Sequence, residues 1–167
     1  MKKLRKQQKL VMTCAVIILT ISWIINYYSV RLPATSLISH STTIEKIFFY
    51  HLNGSNITPY LIEFEDNHNE LNQWMSILDS VSYTRSARSF VTKNIRNDGG
   101  ETFAFTIFYR DGDGELHDYF LDMNQKGYAI RGQSKMYKMV ERESEVFEQL
   151  SAWLFEKAVE MPVNSNK

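Results

Sequence analysis

The densest group of potential ligands in the chain is Asp111-Gly112-Asp113-Gly114-Glu115, with carboxylates at alternate positions. An EF-hand loop needs oxygen ligands at positions 1, 3, 5 and 12 and a glycine at position 6. Here Leu116 takes the glycine position and Asp122 takes the place of the bidentate glutamate. Both flanks have strand rather than helix character, so the motif fits a solvated hairpin turn and no metal is expected. The four histidines, His40, His51, His68 and His117, show none of the i, i+4 spacing of a zinc-binding helix. The chain has no Gly-x-Ser-x-Gly elbow and no glycine-rich phosphate loop. No catalytic residue, metal site or cofactor is therefore assigned, and an enzyme is not expected.

One basic segment stands out. Arg85, Arg88, Lys93 and Arg96 occur without an acid until Asp98, and they form the candidate patch for an anionic ligand. On one continuous strand Arg85 and Lys93 would share a face, with Arg88 and Arg96 on the other. Only a loop could gather all four, and the serine-rich surroundings permit one.

The 167 residues carry 19 basic and 19 acidic side chains, but the two signs are segregated. Lys2, Lys3, Arg5, Lys6, Lys9 and Arg31 all precede the first acid, Glu45, which leaves 13 basic against 19 acidic residues, a formal −6, after Arg31. That balance excludes a nucleic-acid-binding domain, which needs a basic footprint on the phosphates. Between Lys9 and Arg31 runs LVMTCAVIILTISWIINYYSV, a stretch without a formal charge. As a helix it spans about 30 Å, the thickness of a bilayer hydrocarbon core. Trp23, Tyr27 and Tyr28 sit toward its end, where an interfacial aromatic belt is expected, and the positive flank places the N-terminus in the cytoplasm.

A cleaved signal peptide would need small residues close behind a shorter apolar run. Ala34-Thr35-Ser36 lies too far beyond it, so an uncleaved signal-anchor is expected. Cys14, the only cysteine, has almost no apolar sequence ahead of it and is no lipidation site; it falls in the membrane span and leaves the outer domain without a thiol or disulfide. Leu32-Pro33-Ala34-Thr35-Ser36 resembles a wall-sorting signal in letters but not in position. The resulting organisation is a cytoplasmic tail (1–9), a single transmembrane helix (10–30), a stalk (31–43), an extracytoplasmic domain (44–161) and a frayed end (162–167).

Within the outer domain, Ile44–Leu52 is aromatic and β-branched and ends at Asn53-Gly54-Ser55, which predicts a strand and a turn. A short strand is predicted over 60–65. Asn67 and Glu70 form a capping box ahead of Leu71, Trp74, Met75, Leu78 and Val81, which lie on one helical face. The segment 82–100 is the least ordered in pattern, with Phe90 and Val91 as a possible strand. Phe103, Phe105, Ile107 and Tyr109 alternate up to Asp111-Gly112, and the chain returns over 116–123, a β-hairpin. Further strands are predicted over 127–131 and 136–140, and a last helix over 142–160. The order implies an α+β fold in which an antiparallel sheet carries both helices on one face.

The Ile44-Glu45-Lys46-Ile47 strand, the acidic Phe64-Glu65-Asp66 ahead of the 71–81 helix, and the Tyr109-Arg110-Asp111-Gly112 hairpin form a recurring order. In it the chain resembles the small α+β outer domains of Gram-positive membrane-anchored proteins and lipoproteins. The resemblance covers roughly 44–154, implies the fold and an envelope location, and brings no catalytic residues. Function narrows to a non-catalytic binding or accessory module outside the membrane, engaging an envelope protein or anionic envelope ligand. The alternative is a small envelope-side enzyme, or an inhibitor of one, whose site carries no motif. Exposed aromatics on a flat or grooved face would favour binding, and a deep polar pocket with convergent histidine and acidic groups would favour the enzyme.

Overall fold

The charge-free run after Lys9 folds as part of one helix, α1 (Lys2–Ser29). Its segment Val11–Ser29 is 19 residues long and apolar enough to cross a membrane. The two threonines in it, Thr13 and Thr20, donate their hydroxyls to the carbonyls of Lys9 and Val16 at 2.9 and 2.8 Å, so each finds its partner inside the helix. The structure is a computed structural model that describes residues 2–64, 68–132 and 134–162. The chain divides into two units, Met1–Val30 and Arg31–Lys167.

The second unit is α+β. Its strands are β1 (Ile44–Asn53), β2 (Asn56–Glu63), β3 (Ser82–Arg85), β4 (Thr102–Arg110), β5 (Leu116–Asn124), β6 (Tyr128–Arg131), β7 (Lys135–Val140) and β8 (Val159–Glu160). Two helices, α2 (His68–Asp79) and α3 (Glu143–Lys157), complete it. The strands form one sheet in the order β3-β7-β6-β5-β4-β1-β2-β8, antiparallel throughout. Alternation decides which side chains go inward. Phe49, Phe103, Phe105, Ile107, Leu121 and Met123 point to one face and are at most 1 % exposed. Leu71, Trp74 and Leu78 of α2 and Val146, Phe147, Leu150 and Leu154 of α3 close over that face in a single core. The β1–β2 connection needs only Gly54 and Ser55, with Gly54 at φ +60°, a conformation open to glycine without strain.

The region expected to be a stalk is mostly built into the domain. Leu32 pairs with Tyr83, whose N–H donates to the Leu32 carbonyl at 2.9 Å while the Leu32 N–H donates to the Tyr83 carbonyl at 2.7 Å. This covers part of the outer edge of β3. A 3₁₀ turn at Ala34–Ser36 follows, with the Ala34 N–H donating to the Asp79 carboxylate at 3.0 Å, and Ala34, Leu37 and Ile38 are at most 1 % exposed. The sequence shows no period there because a short turn, not a helix or strand, delivers these side chains to the core. Leu37→Ala in the full chain is therefore expected to cost about 2–3 kcal/mol in thermal or denaturant unfolding. An unchanged transition would return the segment to a stalk.

Three other expectations need correction. The segment 82–100 opens with a strand, β3, and its Phe90 and Val91 lie at a 3₁₀ turn (Ala87–Phe90) and not in a strand, 80 % and 88 % exposed. The last helix stops at Lys157: Ala158 adopts φ −82°, ψ 146°, and Val159 and Glu160 pair with Leu61 and Tyr60 as β8. The second strand begins at Asn56 rather than Tyr60. Asn67 of the expected capping box and the end of the chain from 163 lie outside the described residues.

Candidate binding site

The sheet has a second face, and a strap crosses part of it. After β3 the chain runs through the 3₁₀ turn and returns to β4, burying Ile95 completely against Ile130 and Met136, with Tyr128 alongside. Ile130 and Met136 alternate with Ala129 and Tyr137 of the main core, so the strap lies on the face opposite the helices. Asn124, also fully buried, ties it down. Its Nδ2 donates to the Ile95 carbonyl at 3.1 Å and to Asp98 Oδ2 at 3.3 Å, and its Oδ1 accepts the Tyr128 N–H at 3.0 Å.

This arrangement separates the four residues of the basic segment. Arg85 ends β3 opposite Tyr137, on the helix-covered face. Arg88 forms a two-pronged pair with Asp98, one prong at 2.6 Å, and lies over the Tyr128 ring at 4.8 Å. The Asp98 hydrogen bonds hold the Arg88 guanidinium above its ordinary pKa against the opposing effect of desolvation. Arg96 donates through Nε and Nη2 to the two Asp122 oxygens at 2.8 and 3.0 Å, and that pairing likewise raises its pKa. Lys93 is exposed and has no hydrogen bond or ion pair among the described residues. Spacing in the chain could not show that Asp98 and Asp122 would engage two of the four charges.

Lys93 and Arg96 do meet at one place. Together with Asn94, Phe120, Asp122, Ile130 and Gly132 they line a cavity of about 460 Å³ on the strapped face. Phe120 is 56 % exposed, although its strand neighbours Leu121 and Met123 are buried. The signal for it was present in the hairpin: Phe120 falls out of phase with the core positions of β5, on the same side as Asp118 and Asp122. Farther along this face Tyr50 and Ile57 are 43 % and 58 % exposed, and the Phe48 ring packs edge-on to Tyr50 with centroids 4.9 Å apart.

A second cavity, about 710 Å³, lies beside Gly99, Gly100, Lys126, Tyr128, Lys138 and Glu143. Its cations are engaged internally, Lys138 with Glu143 at 3.0 Å and Lys126 with the Asp98 carbonyl. Among the described residues, neither cavity is lined by a histidine.

The histidines and the acidic hairpin lie elsewhere. His40 stacks on Tyr109 at 4.2 Å, and His51 sits 3.0 Å from Glu101 against Phe103 and Phe155. In the β4–β5 turn, Asp111 Oδ1 accepts the N–H groups of Asp113 and Glu115, both at 3.0 Å, while Oδ2 lies 2.8 Å from His117 Nε2. The His117 bond foremost, with those two backbone donors, holds the Asp111 carboxyl below the ordinary carboxylate range. Asp111, Glu115 and His117 each bring one ligand atom within 4.8 Å of the others, but the Asp111 oxygens already serve the turn. No family model matches the chain, and neither a curated protein nor a solved structure is significantly similar to it.

Proposed function

We propose that this chain is a non-catalytic, single-pass membrane-anchored module, with its basic tail in the cytoplasm and its α+β domain outside, that binds an anionic component of the cell envelope. Three features support the anchor: the apolar helix Val11–Ser29, the five basic residues ahead of it, and the aromatic residues near its end.

The observation that carries the binding role is the cavity beside the strap. In it Lys93, a cation without a partner among the described residues, stands with the Arg96–Asp122 fork around an exposed aromatic ring. Its volume falls in the range of small-ligand sites, about 300–1,000 Å³. The domain's formal negative charge does not prevent local attraction, because at physiological salt each charge is screened within about 8 Å.

The four-residue patch reduces to Lys93 and Arg96 at this site, with Arg88 holding the strap that carries them. Lys93→Glu in the full chain should weaken retention on immobilised heparin at low salt, with the difference vanishing at high salt and the melting curve unchanged. Both proteins carry the same basic tail, so the difference reports the domain. Equal retention at low salt would contradict the assignment.

A further inference from the structure

The same cavity holds a carboxylate, and that narrows its ligand. Resting on the binding role above, we propose that the ligand is an acidic saccharide, with a sugar ring stacked on Phe120, its hydroxyls between Arg96, Asp122 and Asn94, and its acid group at Lys93.

A site for a bare anion such as sulfate needs donors and cations, because the ligand presents only acceptors when ionised. Asp122 would repel it. A hydroxyl group, by contrast, both donates and accepts, and a sugar presents several of them side by side. The Arg96–Asp122 fork offers both functions. Arg96 uses Nε and Nη2 on Asp122, leaving Nη1 without a partner among the described residues, and each Asp122 oxygen retains a lone pair beyond the one it gives Arg96. Asn94 adds a donor: its Oδ1 is taken by the Arg96 N–H at 2.8 Å, while its Nδ2 has no partner among the described residues.

Phe120 supplies the apolar half. A sugar ring turns a face of C–H groups, slightly positive at hydrogen, toward the negative face of an aromatic ring. The Phe120 ring has no aromatic or cationic partner among the described residues, and its backbone is fixed in the sheet, with the Gly132 N–H donating to its carbonyl at 2.8 Å. Its neighbours in register are Thr106 on β4 and Gly132, where a Cβ would meet nothing within 4 Å. Small neighbours on both sides leave space around the ring. The same row continues from Thr106 to Phe48 and Leu61 across β1 and β2, a path for flanking sugar units. Lys93, which lines the cavity with no acid paired to it among the described residues, distinguishes an acidic sugar from a neutral one.

The test uses the full chain in phosphatidylcholine nanodiscs and follows the methyl signals of Ile130, which lines the cavity. The probes are tetragalacturonate, maltotetraose and linear tetraphosphate. Tetragalacturonate should bind at least about tenfold more tightly than either of the others. Phe120→Ala should weaken it about tenfold, and Lys93→Gln should bring its affinity down toward that of maltotetraose without changing the latter. Tetraphosphate binding as tightly as tetragalacturonate, with Phe120→Ala without effect, would overturn the saccharide while leaving an anion-binding domain. Maltotetraose binding as tightly as tetragalacturonate would overturn the role of Lys93. No response to any of the three probes would overturn both the saccharide and the cavity as a binding site.

Discussion

Phe103→Ala is expected to destabilise the α+β domain by about 3–5 kcal/mol, the usual cost of deleting a large side chain from a core that cannot collapse around the gap. Phe103 is fully buried near the middle of the sheet and belongs to the main core. Its ring stacks on Phe147 of α3 at 5.2 Å and packs against Phe49, Phe105, His51 and Phe155 at 5.2–5.9 Å. Alanine would leave a void lined by rings from two strands and a helix, all fixed by their own backbone pairing. In the full chain in detergent the loss should lower Tm by about 10–20 °C. Phe120→Ala, also a phenylalanine in the sheet but on the other face, should change stability by less than about 0.5 kcal/mol, as surface substitutions do. Similar shifts for the two variants would mean the faces of the sheet are not divided as described.

Asn124→Ala is expected to cost about 2–4 kcal/mol, more than its size suggests. Asparagine serves three partners from one buried position: the Ile95 carbonyl, the Asp98 carboxylate and the Tyr128 N–H. Removing it orphans the buried Ile95 carbonyl, at about 1–3 kcal/mol, takes the acceptor from the part-buried Tyr128 N–H, and strips a hydrogen bond from Asp98. The loss should be local first. Amide exchange over 93–98 should speed up well before global unfolding, because Ile95 is the one strap side chain buried in the small core it shares with Ile130 and Met136. Unchanged protection of that segment would mean that the strap is held by something other than Asn124.

The alternation of Phe103, Phe105 and Ile107 and the three- and four-residue spacing of the helices were legible in the sequence because each element buries one face in one core. The strap was not. It contributes a single buried apolar residue, Ile95, from a run rich in polar side chains, and its anchor, Asn124, is 29 residues away. The same holds for the segment around Leu37 and Ile38, which enters the core through one 3₁₀ turn, and for β8, whose two residues pair with a strand about 100 positions earlier. Of the candidate site, the sequence marked Lys93 and Arg96 by charge. It could not show that Arg85 would lie on the other face, or that Asp98 and Asp122 would engage Arg88 and Arg96, since those pairings depend on the path of the strap. Phe120 and Asn94 became visible as site residues only when the strap and β5 were brought together.

A domain anchored outside the membrane, as proposed, must be open to a protease added from that side. Cells freed of their wall are treated with a protease that cannot cross the bilayer, and the chain is probed through a tag at its N-terminus. A tagged remnant containing the tail and helix, with residues 31–167 lost, is the result expected of the proposed orientation. Complete protection of the domain in right-side-out membranes, with digestion only after lysis, would contradict it.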